Sequence, residues 1–241
     1  MILIIASLLP VVLLMVYFYY RDKFEKEPVK VLMKAFGAGI LSVFPAIILA
    51  SLISIPQLEA YSPVYSSFIR AFWEAAVPEE ISKFALLYLI IWRDRNFNEY
   101  YDGIIYSVFV SLGFAGVENI MYVVGEGIEV ALTRGLLSVP LHALCGVIMG
   151  YYFSLAKFNT ARRKTFLLKA IAGAVMAHGL YDFILFYTDR MVGISPAFAG
   201  IGFLLIFVFI FYLWRFSLRK VQLHVNNSVF RNRTENKDNE V

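Results

Sequence analysis

AAVPEEISKFALLYLII, residues 75–91, is apolar enough to cross a membrane except near its start, where Glu79, Glu80 and Lys83 stand. Its neighbourhood decides how it is read. The chain is 60% hydrophobic and only 17% charged, with a mean hydropathy of +0.68, more apolar surface than a water-soluble core of 241 residues can hide. The segment therefore belongs to an integral membrane protein, and its charges lie where lipid excludes charge.

Crossing about 30 Å of hydrocarbon takes about 20 residues in a helix. Seven stretches qualify, at 2–20, 32–54, 70–92, 103–124, 137–156, 166–187 and 195–216, joined by short polar connections. The expectation is an all-α polytopic helix bundle of about seven transmembrane helices. Residues 1–220 form a single transmembrane domain, followed by a polar, disordered tail at 221–241 that is rich in Asn and charge. The chain is apolar from Met1 and its first basic residues follow the apolar run, which reads as a retained first span.

Lysine and arginine set the expected orientation. Eighteen of the 22 fall on one side, from Arg21 through Arg93, Lys157 and Arg163 to Lys237, whereas the other side has Arg70, Arg134 and Arg190 and Lys83 lies within a span. The N-terminus is thus expected outside and the C-terminus in the cytoplasm. The net charge of +4 reports this topology and not a nucleic-acid partner. The one cysteine, Cys145, excludes an internal disulfide and a cysteine metal cluster, and it reads as a small core residue.

An ionisable group within a span costs at least about 2.5–3.5 kcal/mol, so such groups face the bundle interior and mark function. They are few: Glu79, Glu80 and Lys83 in the third span, Glu118 beside Asn119 in the fourth, His142 in the fifth, and His178 with Asp182 one turn later in the sixth. Counted inward from the outer end of each span, Glu79, Glu118, His142 and His178 all lie roughly 9–15 Å deep at 1.5 Å per residue. Pro78 removes a backbone donor just before the pair.

Carboxylates and imidazoles at one depth can activate water. In a metal-free route a glutamate is the general base and a histidine binds the oxyanion. In a metal-assisted route His142, His178 and Glu118 supply the ligand types of a hydrolytic zinc site, although no H-E-x-x-H spacing is present. Neither G-x-S-x-G nor a P-loop occurs, which argues against serine-hydrolase and nucleotide chemistry. A proton-coupled transporter or channel using the same Glu/His cluster is the alternative of a different class.

Four stretches resemble one known family: PEEISKF (78–84), FNEYYDGIIYSVFVSLGFAGVENIMYV (97–123), HALCGVIMGYYF (142–153) and AHGLYDF (177–183). The segment YFYYRDKFEKEPV (17–29) resembles the stretch after that family's first span. The family is that of the PrsW bacterial intramembrane proteases, more distantly similar to CAAX-processing and bacteriocin-related membrane proteases. The resemblance implies a multi-pass enzyme of the bacterial cell membrane. Its substrate would be a single-pass anti-sigma factor, given its first, extracytoplasmic cut in a stress response. It also implies a site built from Glu79, Glu80 and His178, with Glu118 and His142 on the remaining motifs. Glu99 matches a further acidic position, and the expected topology puts it at the cytoplasmic edge in a structural or gating role. Lys83, Asn119 and Asp182 are expected to support the pocket.

Overall fold

The computed structural model describes residues 2–230 and contains helices, turns and no strand among them. Helices α1 (Ile2–Arg21) and α2 (Val29–Ile53) come first, then α3 (Pro63–Phe68), which runs through a π-helical stretch (Ile69–Ala76) into α4 (Val77–Ile91). Next are α5 (Tyr100–Glu126), the short α6 (Ile128–Leu136), α7 (Ser138–Phe158), α8 (Arg163–Val192) and α9 (Pro196–Asn226). Six helices are long and apolar enough to cross a membrane. The expected span at 70–92 is not among the six. It lies in the helical run Pro63–Ile91, whose middle turns are wide and whose interior carries the charges of the opening stretch.

The bundle is organised around α5. From Tyr101 to Gly116 every residue of this helix is buried, the pattern of a helix enclosed on all sides. Helices α1, α2 and α7 pack around it. Small residues set the spacing, since packing rather than water exclusion brings helices together in lipid. A Cβ on Gly39 would come within 1.9 Å of the Val110 carbonyl oxygen, and one on Gly113 within 2.1 Å of that of Phe36, so α2 and α5 approach backbone to backbone. The outward faces of α1, α2 and α9 expose large apolar side chains such as Leu13, Ile48 and Phe207, as a lipid-facing surface requires.

The π-helical stretch has a local cause. Val77 N–H bonds to the Phe72 carbonyl five residues back, and Pro78, which follows, has no N–H to give. Glycine makes room beside it: a Cβ on Gly179 would strike the Phe72 ring at 2.4 Å, so α8 can lie against these wide turns.

Two segments expected to be irregular are ordered. Residues 128–136, read as a connection, form α6. Helix α9 continues to Asn226, where His224 is buried and stacks on Tyr151. Residues 231–241 of the expected tail lie outside the described residues.

Candidate active site within the bundle

Four helices deliver the polar residues to one place. On α4, Lys83 follows Glu79 by four residues and Glu80 by three, which puts both carboxylates within reach of the ammonium. Lys83 Nζ lies 2.8 Å from Glu80 Oε1, 3.1 Å from Glu79 Oε2 and 3.1 Å from His142 Nδ1 of α7, so three acceptors surround its three N–H donors. It also sits 4.0 Å from the ring centre of Phe114. Because Lys83 can only donate, His142 Nδ1 accepts, and His142 Nε2 carries the proton it gives to Glu118 Oε2 of α5 at 2.8 Å.

His178 of α8 completes the ring of contacts. Its Nδ1 lies 2.9 Å from Glu80 Oε1 and 3.9 Å from Glu79 Oε2, and its Nε2 lies 3.2 Å from Asp182 Oδ2 one turn on. Both nitrogens face acceptors, so the ring can carry two protons with neither N–H left unpaired. Glu118 is further held by Arg134 of α6, Nη2 to Oε1 at 2.9 Å.

The two adjacent glutamates differ in surroundings. Glu80 is fully buried and bonded to Lys83 and His178, whereas the Glu79 side chain remains 17% exposed. That exposure opens on two cavities. One of about 70 Å³ is polar, lined by Glu79, Glu118, Arg134, His142, His178 and Asp182. At some 10–15 Å³ per water position it has room for several waters. The other, of about 210 Å³, lies between α2 and α5, and Glu79, Glu118, Ala75 and Tyr122 form the wall common to both.

The site assembles Glu79, Glu80, Glu118, His142 and His178, with Lys83 and Asp182 in support. Asn119, expected to support the pocket, does not reach it, and Glu99, expected at the cytoplasmic edge, lies apart from it. The Asn119 side chain points to α1, donating to the Ser7 carbonyl at 2.8 Å and accepting from Arg134 Nε at 3.3 Å. Glu99 caps the start of α5, about 28 Å along that helix from Glu118 at 1.5 Å per residue. Arg134, Tyr181 and Ser138 line the polar cavity without having been singled out from sequence. Tyr181 stood in the quoted AHGLYDF motif, but Arg134 read only as a basic residue in a connection, and nothing local pairs it with Glu118.

The donor set also bears on a metal. Glu79, Glu80, His142 and His178 each offer an atom within 4.8 Å of the others, two carboxylates and two imidazoles of the kind that hold zinc. This set contains the glutamate pair in place of Glu118. Four carboxylates, Glu79, Glu80, Glu118 and Asp182, face two permanent cations, Lys83 and Arg134, so a neutral cluster needs two more positive charges. Protons on the histidines and acids, or one divalent ion, would supply them. Glu80 Oε2 is buried with no hydrogen-bond partner, which leaves one acceptor available to such a ligand. Zinc therefore fits the residues, in competition with the Lys83 ammonium for three of the four.

These features define the class: a multi-pass membrane protein with an acid–imidazole cluster held inside its helix bundle. Residues 27–214 match the PrsW family intramembrane metalloprotease. Proteins named Protease PrsW align over nearly the whole chain. That of Geobacillus kaustophilus is 38% identical over 91% of each chain, and that of Bacillus subtilis 36% identical over 90% of this chain and 93% of its own. The Clostridioides difficile protein is 32% identical over 94% of this chain and 92% of its own. No solved structure matches. The chain belongs to the PrsW family of intramembrane proteases, and this membership selects a protease over a transporter.

Proposed function

We propose that the protein cuts a single-pass membrane protein near the outer surface of the bilayer, with Glu79 as the general base. The family resemblance makes an anti-sigma factor the substrate and this cut the first of two. The observation that carries the assignment to Glu79 is its position as the wall between the polar and the lateral cavity, while Glu80 is fully enclosed by its partners. Both contacts of Glu79, to Lys83 and to His178, use Oε2. Water in the polar cavity gives a proton to Glu79 and attacks the scissile carbonyl. His178, oriented through Nδ1 by Glu80, turns its Nε2–H from Asp182 to the developing oxyanion. The proton held by Glu79 then passes to the leaving amine. Lys83 holds Glu80 in place through its ammonium and fixes the His142 tautomer. Glu79, Glu80, His142 and His178 are the groups that would hold a zinc ion, which supplies Lewis-acid activation of water when bound.

The test is cleavage of a tagged single-pass anti-sigma factor in proteoliposomes by wild type, Glu79→Gln and His178→Ala proteins, with metal content measured and a chelator added. Loss of cleavage in both folded variants is expected. Full activity in both would overturn the site, and proton flux without a peptide product would overturn the protease reading.

A further inference from the structure

The bundle carries a second cavity that the water chemistry does not use. It is a groove of about 210 Å³ between α2 and α5, reaching Glu79 and Glu118 at its inner end. Its α2 wall is apolar and mostly small, with Val43, Ala46 and Ala50, and its α5 wall has Phe114 and Met121. Both helices are membrane-length, and Ile47 and Met121 at the mouth are more than half exposed, so the groove opens sideways to lipid. Across the site, the smaller cavity is lined mainly by charged, imidazole and hydroxyl groups, with Leu141, Leu185 and Phe186 among them. Glu79 therefore has lipid access on one side and a water-holding pocket on the other.

We propose that this groove receives the apolar span of the substrate, so that α2 and α5 form the side gate of the protease. The proposal rests on the protease reading and adds where the substrate docks. Continuity with Glu79 argues for a substrate segment: a chain lying in the groove brings its backbone to the carboxylate from the side opposite the water. The volume agrees, because 210 Å³ is below the roughly 300–1,000 Å³ of pockets that enclose a whole small ligand. It suits a few side chains of a longer segment whose remainder stays in lipid. The three small α2 and π-turn residues Ala46, Ala50 and Ala75 set its width, which favours small side chains next to the cut bond. Just past the end of α2 the Ile55 N–H donates to Glu74 Oε1 at 2.7 Å, tying α2 to the π-helical stretch beside the groove. The span comes in from the membrane side.

Ala50→Trp fills the groove, and Leu52→Trp puts the same ring on the lipid face, where Leu52 is 74% exposed. With the tagged single-pass anti-sigma factor in proteoliposomes, Ala50→Trp should lower the cleavage rate about tenfold or more by displacing the segment, while Leu52→Trp cleaves like wild type. Equal cleavage by all three overturns the gate and leaves the protease reading intact. Photo-crosslinking tests docking apart from chemistry. A photoreactive residue in place of Ile47 should capture the substrate span, and one in place of Leu204, exposed on α9, should not. Equal capture at both positions, or lipid adducts alone at Ile47, overturns the proposal even where wild type cleaves nothing.

Discussion

His178 Nδ1 meets Glu80 Oε1 at 2.9 Å, a bond between helices whose residues are 98 positions apart. With Lys83 on the same oxygen, this bond commits Glu80 to holding the site together. Glu79, one residue earlier and about 100° around the helix, is the carboxylate left facing the cavities. The identical side chains of the pair thus have different work.

The pair should separate in experiment. Glu79→Gln is expected to lower kcat by about 10²–10⁴, the usual contribution of a general base, with little change in thermal unfolding. Glu80→Gln should lose activity together with stability, by about 3–5 kcal/mol, because Lys83 is left buried with a weakened partner. Thermal unfolding in detergent beside single-turnover cleavage checks both.

Lys83 occupies the centre of the donor set, and its removal should change what the site binds. Lys83→Met is expected to destabilise the fold by about 3–5 kcal/mol through the unpaired carboxylates. Added zinc should restore part of that loss in the variant and have a smaller effect on wild type. Metal analysis after dialysis, with melting curves with and without zinc, gives the comparison. Equal zinc uptake by both proteins would show that the ammonium does not compete.

Gly113→Ala should disrupt the α2–α5 contact, since the added methyl meets the Phe36 carbonyl oxygen at 2.1 Å. A backbone atom cannot rotate away, so the helices must separate, at a cost of about 1–3 kcal/mol or more. A lower melting temperature is expected, whereas Gly37→Ala, with nothing within 4 Å of the new atom, should melt like wild type.

At the opposite end of α5 a group of acids predicts a pH effect on stability. Burial first, then the nearby Glu99 charge, raises Asp22 from its ordinary value to about 7, and burial raises Glu27 to about 7. Raised carboxyl values mean that the folded state binds more protons than the unfolded one. Their stabilising contribution is complete below about pH 4 and is lost as pH rises through 7. Asp22→Asn should therefore flatten the fall in melting temperature between about pH 5 and pH 8, measured at constant ionic strength.

The membrane class, the helical architecture and five central polar residues were legible in the sequence because lipid penalises every charge. Glu79, Glu80, Glu118, His142 and His178 stood out against their apolar runs, and counting helical rise put Glu79, Glu118, His142 and His178 at one depth. Asn119 stood out equally, yet it serves α1, since one residue's rotation turns it off the face that carries Glu118. Arg134 was invisible because its meaning depends on where α6 folds back, and residues 128–136 show no apolar signal strong enough to announce that helix.

What the sequence by itself determined is the inventory: apolar runs of membrane length, and the few ionisable groups whose burial has to be compensated. Only the tertiary structure decided the pairings, because hydrogen bonds such as His178 to Glu80 depend on helix rotation and crossing. The π turns before Pro78 rotate α4, and the glycines on α2 and α5 set how near those helices come. Those two local features place Glu79 between water and lipid, and no periodicity in the chain records that position.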